Sequence, residues 1–174
     1  MGLTKKGDKG KTQVIGNKEV WKDDPIMDAI GALDELNSIL GLAAAYMKGA
    51  EKDEVEKVQQ ELFSLGTYLA TVPTAEAVKE PSLDPEWLEQ RAKELSSKHR
   101  ITSFIVPGGT KQGALLHIAR AVSRRAERRI VSALKELEVT GKAVVLQYMN
   151  RLSDYLYYLA IEENSKAGVK EKEV

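Results

Sequence analysis

The chain has no cysteine, which excludes disulfide bridges and thiolate metal sites and leaves a reducing interior compatible with it. Histidine is almost as scarce: His99 and His117 are the only two. They stand apart without ligand spacing, so a structural or surface role is the expectation for each. No Ser–His–Asp or Cys–His arrangement can be built, and the Glu-x-x-His pairs of di-iron bundles are missing. No apolar run approaches the roughly 18 residues of a membrane span, and no secretory signal opens the chain. A soluble cytoplasmic protein without membrane contacts is therefore expected. Charge of one sign is also lacking, since 26 Lys and Arg balance 26 Asp and Glu. A bulk nucleic-acid binder would normally carry net positive charge, so that class is disfavoured.

Against this neutral background, one stretch is crowded with a single residue type. His117–Ile130 carries arginines at 120, 124, 125, 128 and 129. An apolar stripe runs through it at gaps of three and four: Leu115, Ile118, Val122, Ala126, Ile130, Leu134 and Leu137. That spacing predicts a helix from about Gln112 to Leu137 with one side in a core. Arg120, Arg124 and Arg128 then follow one another along roughly the opposite side, with Glu127 beside them. Guanidinium groups are permanently charged planar forks suited to phosphate or carboxylate. Two readings follow: a surface salt-bridge ladder worth a few tenths of a kcal/mol per pair, or a grip for a polyphosphate.

Glycine and lysine dominate residues 1–24, with no helical or strand periodicity. Such a segment is either a frayed, solvated end or a phosphate-binding loop whose glycines admit backbone N–H groups to an anion. Gly10-Lys11-Thr12 does not complete a Walker A motif, because Lys5 stands where that motif needs glycine. The remaining chain reads as helices. The first spans Pro25 to Met47, capped by Asp23 or Asp24 and stopped by Gly49. Asp34 sits mid-helix, either simply exposed or paired with an arginine of another helix or subunit. Further helices are expected over Asp53–Thr71, from Pro85 to about Lys98, and over Lys142–Lys166, with a loop from Pro73 to Pro85. Residues 101–109 read as a short extended apolar segment, and Phe104 is locally most simple as a core residue. Five helices in one domain, without a strand pattern of consequence, predict an all-α bundle. The domain divides into an N-terminal loop, 1–24, and a helical bundle, 25–168.

Six pieces in one order carry a family resemblance: Thr4-Lys-Lys-Gly-Asp-Lys-Gly10, Lys22-Asp-Asp24, Asp34-Glu-Leu36, Phe104-Ile-Val-Pro-Gly-Gly109, Arg120–Arg129 and Asn150-Arg-Leu-Ser-Asp-Tyr155. Together they span nearly the whole chain, which resembles the ATP:cob(I)alamin adenosyltransferases of the PduO type. Lys6 departs from the threonine common in the family's loop. The resemblance implies a ferritin-like five-helix bundle assembled as a homotrimer, with active sites between subunits. It implies transfer of the 5′-deoxyadenosyl group of ATP to the cobalt of cob(I)alamin, with triphosphate leaving and Mg²⁺ bridging phosphates. The ATP site would comprise Thr4, Lys5, Lys6, Gly7, Thr12, Gln13, Lys22, Arg124, Arg125, Ala126, Glu127, Arg128 and Asn150. Arg124 and Arg128 would stabilise the departing charge, and Glu127 would orient an arginine or help hold the metal. Asp34 would pair with Arg120 across the interface. Phe104 would press on the lower face of the corrin and displace its axial ligand. Further partners would be a cobalamin reductase or an adenosylcobalamin-dependent enzyme. The competing readings are a non-catalytic ATP- or anion-sensing bundle and a nucleic-acid binder, the latter lacking aromatics among the arginines.

Overall fold

The structure, a computed structural model, describes residues 6–74, 79–99 and 101–174. Thr4 and Lys5 lie outside the described residues, and Lys6 is described in its backbone alone. Five helices follow one another: α1 Pro25–Ala44, α2 Ala50–Thr71, α3 Pro85–Lys98, α4 Lys111–Leu134 and α5 Lys142–Lys166.

Local chemistry sets most of their boundaries. The Asp24 carboxylate accepts from Ile26 N at 2.9 Å, with Pro25 just inside the first turn. Such a cap is worth about 1 kcal/mol. Asp84 accepts from Trp87 N at 3.0 Å ahead of Pro85, and Thr110 accepts from Gly113 N at 3.0 Å. The expected stop at Gly49 is a start instead. α1 ends at Ala44, and Gly49, at φ 73°, is the N-cap of α2. Glycine is needed there because the chain reverses through the left-handed region, where a Cβ would be strained.

The expectation of no consequential strand is also corrected. A 3-10 turn, Lys6–Lys9, leads into β1 (Lys11–Gln13), which pairs antiparallel with β2 (Glu19–Trp21). The register sets Lys11 opposite Trp21 and Thr12 opposite Val20. Val14 and Val20 are buried, while Lys11 bonds Glu19 at 2.7 Å and lies over the Trp21 ring. Three-residue strands are too short for an alternating pattern to stand out in a lysine-rich segment. The described part of the N-terminal segment is thus a hairpin rather than a frayed end.

One core cluster draws apolar residues from all five helices. α1 packs against α2 and α4, α4 against α5, and α5 against α3. The buried stripe of α4 keeps the expected Val122, Ala126, Ile130 and Leu134 and differs at its start and beyond its end. Leu116 and Ala119 are buried with Val122, Ala126, Ile130 and Leu134, whereas Ile118 and Leu137 are exposed. With α1 on one side and α5 on the other, α4 buries a wider arc than a single 3–4 stripe describes. Two tyrosines cross-link α5 to α2: Tyr148 donates to Glu61 at 2.8 Å and Tyr155 to Glu54 at 3.0 Å. Burial drives both phenol pKa values well above the ordinary value, so both stay protonated donors. Burial likewise raises Glu61, only partly offset by the Tyr148 bond and Lys57.

Candidate functional site

α4 divides its arginines into two sets. Arg125 pairs with Glu35 and Arg129 with Asp28, both acids on α1. These are rungs between antiparallel helices, because the partner moves up α1 as the arginine moves down α4. Arg124 and Arg128 are exposed and make no ion pair among the described residues. The ladder reading therefore holds for one set only, and the other keeps its charge available. Glu127, half-buried between them in sequence, bonds neither. Ala126 has no exposed surface, its side chain facing the core.

A groove of about 490 Å³ opens where the start of α1 meets this part of α4. Asp23, Pro25 and Asp28 line one side, and Arg125, Arg128 and Arg129 the other. The hairpin delivers the chain to its rim. Lys22, exposed after β2, is held by its backbone N–H on Gly10 O at 2.9 Å. Gly7 lies so near it that an added Cβ would stand 3.1 Å from Lys22 Nζ. Thr12 is half-buried and Gln13 exposed on β1. Gly7, Lys22 and Arg128 are thus brought to one end of the bundle by way of Asp23.

The other expected site residues fall elsewhere on the same helices. α4 and α5 run antiparallel with Gly113 against Asn164, which sets exposed Asn150 level with the Arg124–Arg128 turn. Arg120 lies over the Tyr157 ring of α5, 5.4 Å from its centroid. Asp34 is exposed on the opposite side, in an apolar groove between α1 and α2 of about 410 Å³ with Met27, Ile30 and Gly66. Within one chain Asp34 and Arg120 do not meet.

Phe104 is 88% exposed, which overturns its local reading as core. The extended segment around it is real but pairs with the residues after α5 rather than with the bundle: Val106 N donates to Lys172 O and Val174 N to Phe104 O, each at 2.8 Å. Alternation along that segment leaves Ile105 half-buried and Phe104 facing out.

Both histidines are structural. His99 meets Glu162 at 2.5 Å. Burial pulls Glu162 upward, but the His99 bond and the charges of Lys98, His99 and Lys166 outweigh it, leaving the carboxyl below its usual range. His117 is buried with Nε2 unpartnered, and burial, followed by Arg120, lowers its pKa against an opposing pull from Glu171. No group of three or more His, Cys, Asp or Glu side chains able to cage a metal exists among the described residues. Sequence reasoning missed Tyr157, Asn164 and the segment after α5. Asn164 lies in a polar run, Glu162-Glu163-Asn164-Ser165, so its residue type gave no sign that it would be buried.

The family profile described as "Cobalamin adenosyltransferase" matches residues 3–163. A corrinoid adenosyltransferase of Bacillus subtilis is 39% identical over 98% of this chain and 90% of its own length. The human corrinoid adenosyltransferase MMAB is 37% identical over 97% of this chain and 71% of its own. Among solved structures, a phenylalanine-to-alanine variant of the PduO-type ATP:corrinoid adenosyltransferase of Lactobacillus reuteri, complexed with cobalamin and ATP, superposes with a TM-score of 0.90. It is 34% identical, covering 99% of this chain and 98% of that one. An arginine-to-lysine variant of the same protein, complexed with ATP, gives 0.90 at 36% identity over 99% of each chain.

Proposed function

The chain belongs to the cobalamin adenosyltransferase family, and from that premise we propose that it transfers the 5′-deoxyadenosyl group of ATP to the cobalt of cob(I)alamin. The observation that carries the site assignment is the division of α4, which ties Arg125 and Arg129 to α1 and leaves Arg124 and Arg128 without an ion pair among the described residues. A spacing supports it. The two Lactobacillus reuteri variants alter a phenylalanine and an arginine twenty positions apart, as Phe104 and Arg124 are here.

Cobalt(I) is the nucleophile. Its electron pair forms the Co–C5′ bond, the C5′–O bond breaks, and triphosphate leaves with that bond's electrons. The protein therefore needs no activated serine or cysteine, in keeping with a chain that has no cysteine. Its tasks are to align carbon with cobalt and to stabilise charge growing on the leaving group. Lys22, Arg124 and Arg128 perform the second, with the loop from Thr4 to Gly7 and with Thr12, Gln13 and Asn150 fixing the nucleotide. Arg120 to Arg128 spans about 12 Å of helix, a track pointing from the groove toward the Phe104 end. At that end Phe104 covers the lower corrin face and keeps water and the axial ligand off cobalt.

The carboxylates suit Mg²⁺ as a partner of the nucleotide rather than of the protein alone. Without a three-ligand cage, an ion here would rest mainly on phosphate oxygens and water, with Glu127 or Asp23 as the protein contribution. When bound it would neutralise phosphate charge.

The assembly we propose is a ferritin-like homotrimer. Asp34 and Arg120 point to different sides of one chain, so their pairing requires a second copy. The protein is read as one functional domain acting in the cytoplasm, drawing cob(I)alamin from a reductase and passing product to an adenosylcobalamin-dependent enzyme. No helix among the described residues is long and apolar enough to cross a membrane.

The test mixes the protein with ATP, Mg²⁺ and reduced cobalamin and follows loss of cob(I)alamin absorbance as adenosylcobalamin forms. ATP binding without product would instead favour a non-catalytic nucleotide sensor. A solution mass of three chains is expected, and a monomer that is fully active would remove the interface from the proposal.

A further inference from the structure

Phe104 presents a problem of positioning. A side chain this exposed has no core contacts to hold its rotamer or the height of its backbone, yet its proposed work against a corrin face requires a fixed place. What holds it is main chain. The strand-like bridge sets Ile105 opposite Glu173, with one hydrogen bond on each side, Val174 N to Phe104 O and Val106 N to Lys172 O. The partner segment is itself anchored by one residue. Asn164, near the end of α5, is 0% exposed. Its Oδ1 accepts from Thr110 N at 2.8 Å and from Thr110 Oγ1 at 2.9 Å. Its Nδ2 donates to Gly108 O at 3.0 Å and to Glu171 Oε1 at 2.9 Å.

The fit around this amide is close. A Cβ on Gly109, at φ 95°, would stand 2.4 Å from Asn164, and one on Gly113 would stand 2.1 Å from it. Two glycines thus clear space for one buried side chain that joins the base of the Phe104 segment, the N-cap of α4 and the chain after α5. Buried amides are costly unless satisfied, and this one is satisfied only when Glu171 is in place beside the bundle.

We infer that residues 169–174 form a strap, latched by Asn164 to Glu171, that positions Phe104 for the corrin step. The inference rests on the Phe104 role proposed above and extends it to residues that touch no substrate. Asn164, Glu171 and the strap are positioning residues. The nucleotide groove, at the far end of α4, is independent of them.

A cycle of variants tests this: the full chain, deletion of residues 170–174, Phe104→Ala, and both together. Thermal unfolding, KM for ATP, kcat and the fraction of enzyme-bound cobalamin lacking its lower axial ligand are measured for each. Deletion is expected to lower kcat by about tenfold or more, as misplacement of a reacting group does, and to lower the ligand-free fraction. The KM for ATP stays unchanged, and in the Phe104→Ala background the deletion has no further effect. Glu171→Ala should reproduce part of the loss and Glu171→Gln, which keeps an accepting oxygen, should restore it. This pair also carries the cycle if the deletion compromises folding. Equal losses in both backgrounds, a parallel rise in the KM for ATP, or full activity of the deletion would each overturn the strap. Full activity of Phe104→Ala would overturn the Phe104 role and the strap with it, whereas a slow Phe104→Ala beside a silent deletion overturns the strap alone.

Discussion

Arg124 and Arg125 are neighbours in the chain and do opposite things. Arg125 and Arg129 face α1, where Glu35 and Asp28 neutralise them. Arg124 and Arg128 sit about 100° further round the helix, past the edge of that contact, and meet no acid among the described residues. The difference teaches that one dense arginine run can both tie two helices together and keep part of its charge open to solvent. Which arginine is which follows from the helix packed alongside, and a residue's own identity says nothing of it.

The sharpest way to break this comparison is Arg124→Ala. Loss of a charge donor to the departing triphosphate should cost roughly 3 kcal/mol or more of transition-state stabilisation. The turnover of cob(I)alamin reports it, and an unchanged kcat would place Arg124 with the ladder. Phe104→Ala comes next. It should fold and bind ATP, yet lose about a hundredfold in turnover through misalignment of cobalt and carbon. An unchanged turnover would remove Phe104 from the corrin step. In the proposed trimer, Asp34→Ala should weaken subunit association by about 2 kcal/mol or more, as truncating one partner of an interfacial charge pair does. Sedimentation mass across a dilution series, with Arg120→Ala and the double variant alongside, measures that coupling. Arg125→Ala marks the opposite pole: an ion pair this exposed is worth roughly 1 kcal/mol or less. Its melting temperature should barely move, and a loss of turnover matching Arg124→Ala would erase the distinction between the two sets.

The smallest effect is a pH dependence. Burial lowers the His117 pKa below its usual 6.5, so the folded state prefers the neutral ring. Its contribution is fully present above that value and is lost as pH falls through it toward the lowered folded value. Glu162, held below its usual 4.5, contributes above that value and loses its share as pH falls further. Melting temperatures taken through both windows should show His117→Gln flattening the upper one alone. An identical acid profile in that variant would remove His117 as its source.

Five helices could be read from apolar spacing, and the caps at Asp24 and Asp84 from residue type beside proline. The β1–β2 hairpin could not, because six paired residues offer no period to detect. Nor could the start of α2, since Gly49 is equally suited to closing one helix or opening the next. The buried face of α4 is wider than the expected stripe for a related reason: periodicity finds one apolar side, and α4 has neighbours on two. Phe104 looked like core because composition cannot say whether an apolar segment will meet the bundle or pair with a remote strand. The residues after α5 are rich in charge, with no apolar period to mark a structural role, although their backbone pairs with that of Phe104 and Val106.

By itself the sequence determined the helical class, the ordered family motifs and the chemistry available, since residue type and spacing are local properties that survive without a fold. The tertiary structure decided which charges remained free, which apolar side chains stayed outside and what Asn164 joins. Those depend on the partner each atom meets across the bundle, and that pairing exists only once distant segments have packed.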